Sequence, residues 1–162
     1  MLGYFENPEA TAEVMEEGGW FRTGDYGYID SEDFIYVTGR KKNVIITKNG
    51  KNVYPEELEY HLSLSPVIGE LMVFELESGL SDDTIIAVIT IPNPEEIAQR
   101  LGEDATDEAI GKLLWEEVDK VNAEQPIFKK IRKVYLRKEP FEATTSKKIK
   151  RFLAENKAGI EV

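Results

Sequence analysis

The run TIIAVITI at residues 84–91 is the longest apolar stretch in the chain. A membrane-crossing helix requires about 20 such residues, so this run crosses no bilayer. It reads instead as a long strand, matched by a second at residues 68–76 and joined to it by the polar turn SGLSDD at residues 78–83. The two make a plausible antiparallel pair.

Around them the pattern alternates with helices. Pro55-Glu56-Glu57 opens a helix that Ser65-Pro66 ends, with Leu58 and Leu62 on one face. Ile110, Leu113, Leu114, Val118 and Val121 recur at helical spacing over residues 106–124, behind acids that suit the positive end of the dipole. Residues 131–136 read as a strand, 142–147 as a polar loop and 148–156 as a short closing helix. The order α-β-β-α-β-α predicts an α+β fold, a small antiparallel sheet flanked by helices.

The first 40 residues differ in character. Asn7-Pro8-Glu9 has the form of an N-cap, a first-turn proline and an acid, with Gly18-Gly19 as the stop. Residues 26–29 and 34–38 form a hairpin around the turn DSED. A boundary is expected at Gly39 to Lys42, dividing the chain into residues 1–39 and 40–162. The first part is too small to hold a core alone and reads as the edge of a larger domain. Past the cations, residues 44–47 and 52–54 are short strand candidates around Lys48-Asn49-Gly50-Lys51.

Charge narrows the function. The 162 residues carry a formal −11, which argues against a general nucleic-acid binder. Residues 129–151 hold ten Lys/Arg against two acids, so the rest of the chain stands near −19. That basic tail invites an anion. There is no cysteine and no basic-then-apolar leader, which points to a reducing cytoplasm, with peripheral membrane association left open. His61 is the only histidine, flanked by Tyr60 and Leu62, and reads as structural. Trp20 is expected to pack beside the TGD turn.

Three ordered stretches carry the chemistry: GGWFRTGDYGY at residues 18–28, YVTGRKKNVIITKNGKNVYPEELE at 36–59 and TTSKKIKR at 144–151. Together they resemble the C-terminal part of the adenylate-forming synthetases, the superfamily of acyl-CoA synthetases, peptide-synthetase adenylation domains and firefly luciferase. The likeness covers nearly the whole chain. It implies a small C-terminal lid domain behind a piece of the large adenylation domain, working with ATP, CoA and Mg that are bound mainly by the domain outside this sequence.

The resemblance also assigns roles. Asp25 and Arg40 match the pair that holds the ribose of ATP and of the acyl-adenylate; a carboxylate can accept from two adjacent hydroxyls while a guanidinium donates to their oxygens. Lys148 matches the lysine that stabilises charge as a carboxylate meets the α-phosphate. The family usually has Gly-Lys-aliphatic there; here Lys147 stands in the glycine's place, as in the long-chain fatty acyl-CoA branch, and leaves the choice between Lys147 and Lys148 open. Lys42 matches the hinge between two half-reactions. Gly50 and Lys51 match the loop facing the thiol tunnel, where glycine permits a positive φ or close approach of a pantetheine arm. The motif at residues 55–59 is explained as a helix start and is assigned no chemistry.

The resulting expectation is a lid fragment of an AMP-forming acid–CoA ligase, inactive alone, whose partners are ATP, a carboxylic acid, CoA and the large domain. Two alternatives stand beside it: an amino-acid-activating adenylation domain, and a free-standing module whose basic tail binds a polyanion.

Overall fold

A computed structural model describes residues 1–76 and 84–162. They form two compact units, Met1–Asn43 and Val44–Val162. The turn expected at 78–83 lies outside the described residues.

In the first unit, α1 (Pro8–Val14) begins as expected: the Asn7 side chain accepts from the Ala10 N–H at 3.0 Å and Pro8 occupies the first turn. It ends earlier than the glycines suggested. Met15 already bridges to Phe21, and Gly18 and Gly19, with φ of 87° and 83°, make the turn between them. Strands β1 (Asp25–Ile29) and β2 (Ile35–Arg40) pair antiparallel, with a bulge at Tyr26/Gly27. Trp20 does not pack as expected; it is 75% exposed.

The second unit opens with the two-residue strands β3 (Ile45–Ile46) and β4 (Asn52–Val53), then α2 (Pro55–Ser63). Its main sheet has the order β5 (Ile68–Leu76), β6 (Ile85–Pro92), β7 (Ile131–Leu136) and β8 (Ile160–Glu161). The α+β character holds. One pairing differs from the antiparallel expectation: β6 and β7 run parallel, because the connection crosses over through α3 (Pro94–Leu101) and α4 (Asp107–Glu124). The sequence reading missed α3, although Asn93 caps it by accepting from Glu95 N–H and Pro94 fills its first turn.

Strand β6 explains its own apolar run. Ile86 and Val88 join a cluster with Leu58, Leu62, Leu114 and Val118 from α2 and α4. Ala87 and Ile89 face the opposite side, packing with Met72, Phe74 and Phe141. A strand buried on both faces needs no polar alternation. Helices therefore cover one face, whereas Phe141 and Ile149, from the chain beyond β7, cover the other.

That last segment corrects a second expectation. Residues 148–156 are not a helix: Ile149 bridges in extended form to Ala143, and the only helical turn is the 3-10 turn Ala154–Lys157. Tertiary demand overrides local propensity here, since an extended backbone lets Ile149 reach the core. Strand β8, also unforeseen, pairs with β7, and the Trp115 indole N–H donates to the Val162 carbonyl at 2.6 Å. Among the described residues no helix is long and apolar enough to cross a membrane.

Candidate functional site

The first group of candidates lies on the β1–β2 hairpin. Asp25 and Arg40 are direct cross-strand partners, and Arg40 Nε lies 2.8 Å from Asp25 Oδ1. Arg40 Nη1 also donates to the Thr23 carbonyl at 3.2 Å, and the Asp25 N–H is taken by Thr23 Oγ1 at 3.1 Å. The register that the hairpin imposes is what brings a residue of the TGD turn opposite one fifteen positions later. A carboxylate and a five-donor guanidinium are thus presented together at the surface, an arrangement able to take a vicinal diol. Lys42 is exposed in the 3-10 turn Lys41–Asn43, beside the division between the two units.

The second group lies on two tips of the second unit, and these tips are the same turn. At one, the Thr47 N–H donates to Lys51 O at 2.9 Å, Gly50 N–H to Thr47 O at 2.8 Å, and Lys51 N–H to Thr47 Oγ1 at 3.0 Å. At the other, Thr144 N–H donates to Lys148 O at 2.8 Å, Lys147 N–H to Thr144 O at 2.9 Å, and Lys148 N–H to Thr144 Oγ1 at 3.2 Å. Lys51 and Lys148 hold equivalent positions. In both tips the residue before that lysine adopts positive φ, 69° at Gly50 and 60° at Lys147, as a three-residue hairpin loop demands.

The Asp30 turn in the first unit repeats the plan. Phe34 N–H donates to Asp30 Oδ1 at 3.0 Å, and Asp33 takes φ 65°. Hydrogen bonds from Phe34 and Glu32 hold the Asp30 carboxyl below the usual range despite some desolvation, and the bond to Asp30 raises the Tyr36 hydroxyl. Sequence reading found these turns from their polar composition but not their common geometry. The signal was available as a threonine or aspartate four residues before the closing residue.

The turn geometry separates Lys147 from Lys148. Lys147 occupies the left-handed position that favours glycine. Ile149 is inserted in the core cluster with Met72 and Phe74, so Lys148, its neighbour on an extended strand, projects the other way. Lys148 is exposed.

The hairpin carrying Lys148 is fastened at its base. Asn156, fully buried, accepts the Glu142 N–H at 2.8 Å and donates to Glu142 O and Lys150 O at 2.8 and 3.1 Å. Arg137, also buried, donates to the carbonyls of Glu139, Pro140, Glu155 and Ala158 and lies over the Phe141 ring. Much of the basic tail is therefore committed internally: Lys129 pairs with Glu57, Lys133 with Glu161, Lys138 with Asp107, Lys150 with Glu142 and Arg151 with Glu59.

Gly50 has nothing within 4 Å of where a Cβ would stand, so its positive φ rather than internal crowding accounts for the glycine. His61 sits in α2 with its ring edge-on to Tyr60 at 5.7 Å. Among the described residues no group of three or more His, Cys, Asp or Glu is placed to hold a metal ion.

Comparison with known proteins agrees with this architecture. The profile of the AMP-binding enzyme C-terminal domain matches residues 42–159. The chain is 50% identical over 78 residues to the putative acyl–CoA ligase YdaB of Bacillus subtilis, covering 48% of this chain and 15% of that protein. It is 44% identical over 93 residues to the long-chain-fatty-acid–CoA ligase FadD15 of Mycobacterium tuberculosis, covering 57% of this chain and 14% of that protein. Among solved structures, the adenylation domain of a carboxylate reductase from Mycobacterium chelonae superposes with a TM-score of 0.75 at 26% identity, covering 92% of this chain and 23% of that one. The chain thus spans about one seventh of the length of the curated relatives named here.

Proposed function

This chain belongs to the AMP-binding enzyme C-terminal domain family, and from that premise we propose that it serves as the C-terminal part of an ATP-dependent, AMP-forming acid–CoA ligase. Residues 1–39 are then the last piece of the large adenylation domain, and residues 40–162 are the lid. The names of the relatives YdaB and FadD15 favour an acyl, and in FadD15 a long-chain fatty acyl, substrate.

The observation that carries this reading is the Asp25–Arg40 pair in cross-strand register at 2.8 Å. Asp25 accepts hydrogen bonds from the ribose hydroxyls, and Arg40, anchored on the Thr23 carbonyl, donates to their oxygens. Lys148 places its ammonium between the substrate carboxylate and the α-phosphate, where charge develops as the acyl-adenylate forms and pyrophosphate leaves. A hinge at Lys42 then presents the second tip, with Gly50 and Lys51 toward the pantetheine arm as its thiol attacks the adenylate carbonyl and AMP departs. Mg accompanies ATP and is held mainly by the large domain.

The polyanion-binding alternative is weakened by the tail's own ion pairs, which commit five of its ten cations. The decisive experiment joins this chain to an adenylation domain of the family and assays ATP, CoA and a panel of acids. Adenylate formation only in the joined protein, lost in Lys148→Ala while thioester formation from preformed acyl-AMP persists, is the expected result. Turnover by the 162-residue chain alone would contradict the reading.

A further inference from the structure

A helix start accounts for the motif at residues 55–59 but leaves its last glutamate without a purpose. Glu59, on α2, has a side chain only 17% exposed. Strand β5 is an edge of the main sheet, and Val73 on it turns its N–H and C=O away from β6. Glu59 Oε1 accepts that N–H at 2.7 Å, and Arg151 Nη1 donates to that carbonyl at 3.1 Å. Arg151 Nη2 and Glu59 Oε2 are themselves paired. One carboxylate and one guanidinium thus stand in for a missing neighbouring strand at a single residue.

Arg151 lies three residues beyond Lys148. Between them Ile149 is held in the core and the Lys150 N–H is bonded to Glu142 O at 2.9 Å. The strand that carries Lys148 is therefore tied to the sheet edge through Arg151, and Arg151 keeps its place because Glu59 holds it. We infer that Glu59 is a positioning residue for Lys148: through Arg151 it sets where the lysine ammonium stands during adenylate formation, and it takes no part in thioester transfer, to which the Gly50–Lys51 tip is assigned. This rests on the ligase reading above.

The test uses Glu59→Gln, Arg151→Met and the double variant, both in the joined ligase and in the 162-residue chain. The Glu59→Gln change keeps an acceptor for Val73 but turns an amide toward the guanidinium, releasing Arg151. A displacement of the lysine by about an ångström is expected to lower carboxylate-dependent ATP–pyrophosphate exchange roughly tenfold to a hundredfold. Thioester formation from preformed acyl-AMP is expected to stay within about twofold, and the double variant to be no slower than either single, since the two residues act as one unit. In the 162-residue chain, amide hydrogen exchange at Lys148 is expected to quicken in each variant. A general loss of fold would depress both half-reactions together and overturn the inference, as would unchanged pyrophosphate exchange in the variants. Should the unsubstituted joined protein form no adenylate with any acid, the ligase reading fails and the positioning role with it; the hydrogen-exchange arm still decides whether the clamp holds the Lys148 strand.

Discussion

Asp25 and Arg40 face each other across the β1–β2 register, with Arg40 Nε 2.8 Å from Asp25 Oδ1. Their side chains are 27% and 54% exposed, so the pair contributes little to stability, within about 1 kcal/mol for an ion pair of this kind. Its value lies in presenting two complementary groups at a fixed spacing. Asp25→Asn is expected to leave the melting temperature of the 162-residue chain nearly unchanged. In the joined ligase it is expected to weaken use of ATP by roughly tenfold to a hundredfold in kcat/KM, as the loss of charge-assisted bonds implies. A large drop in melting temperature would instead mark the pair as structural.

Lys147 sits at φ 60°, a conformation that costs a residue with a Cβ about 1 kcal/mol or more relative to glycine. Lys147→Gly is therefore expected to raise the unfolding free energy by roughly 0.5–1 kcal/mol, after allowing for the greater freedom of glycine when unfolded. Urea titration reads this directly. Lys147→Ala is expected to bring no such gain, because alanine keeps the Cβ.

Asn156 is fully buried and makes three hydrogen bonds to the backbone of Glu142 and Lys150. Asn156→Ala leaves those groups short of partners, at an expected cost of about 2–3 kcal/mol in unfolding free energy. Hydrogen exchange at Glu142 and Lys150 is expected to speed up with it. A cost below about 0.5 kcal/mol, of the size found at ordinary surface positions, would show that this hairpin is fastened elsewhere.

Burial holds the Glu59 carboxyl above its ordinary 4.5, against the opposing pull of Arg151. Between 4.5 and the folded-state value, the folded chain keeps a proton that the unfolded chain has released. The stability from this group is complete below the unfolded value and is lost as pH rises through the folded one. Glu59→Gln has no such titration. The stability of the unsubstituted chain minus that of Glu59→Gln, measured by urea unfolding from about pH 4.5 to 7, is expected to decline with rising pH; a difference that stayed flat or rose would contradict it.

Local patterns were legible wherever the deciding interactions are close in sequence. The proline-plus-acid openings of α1 and α2, the helical spacing in α4 and the hairpin turns all draw on neighbours within a few residues. The Asp25–Arg40 pairing could be read as well, because a single hairpin brings the two together. By contrast, α3 was missed although Asn93-Pro94-Glu95 signalled it, and Trp20 was expected to pack where it is exposed.

What the amino-acid order settled by itself is the identity of most strands and helices and the placing of Asp25, Arg40 and Gly50 at turns or strand ends. Only the tertiary structure decided that β6 and β7 run parallel, that Lys148 and Ile149 lie at the extended end of a hairpin instead of opening a helix, and that Glu59 grips Arg151 from 92 positions away. The physical reason is common to all three. A core face that must be covered and a sheet edge that must be satisfied act on whichever residues the fold brings near, and local periodicity carries no record of that demand.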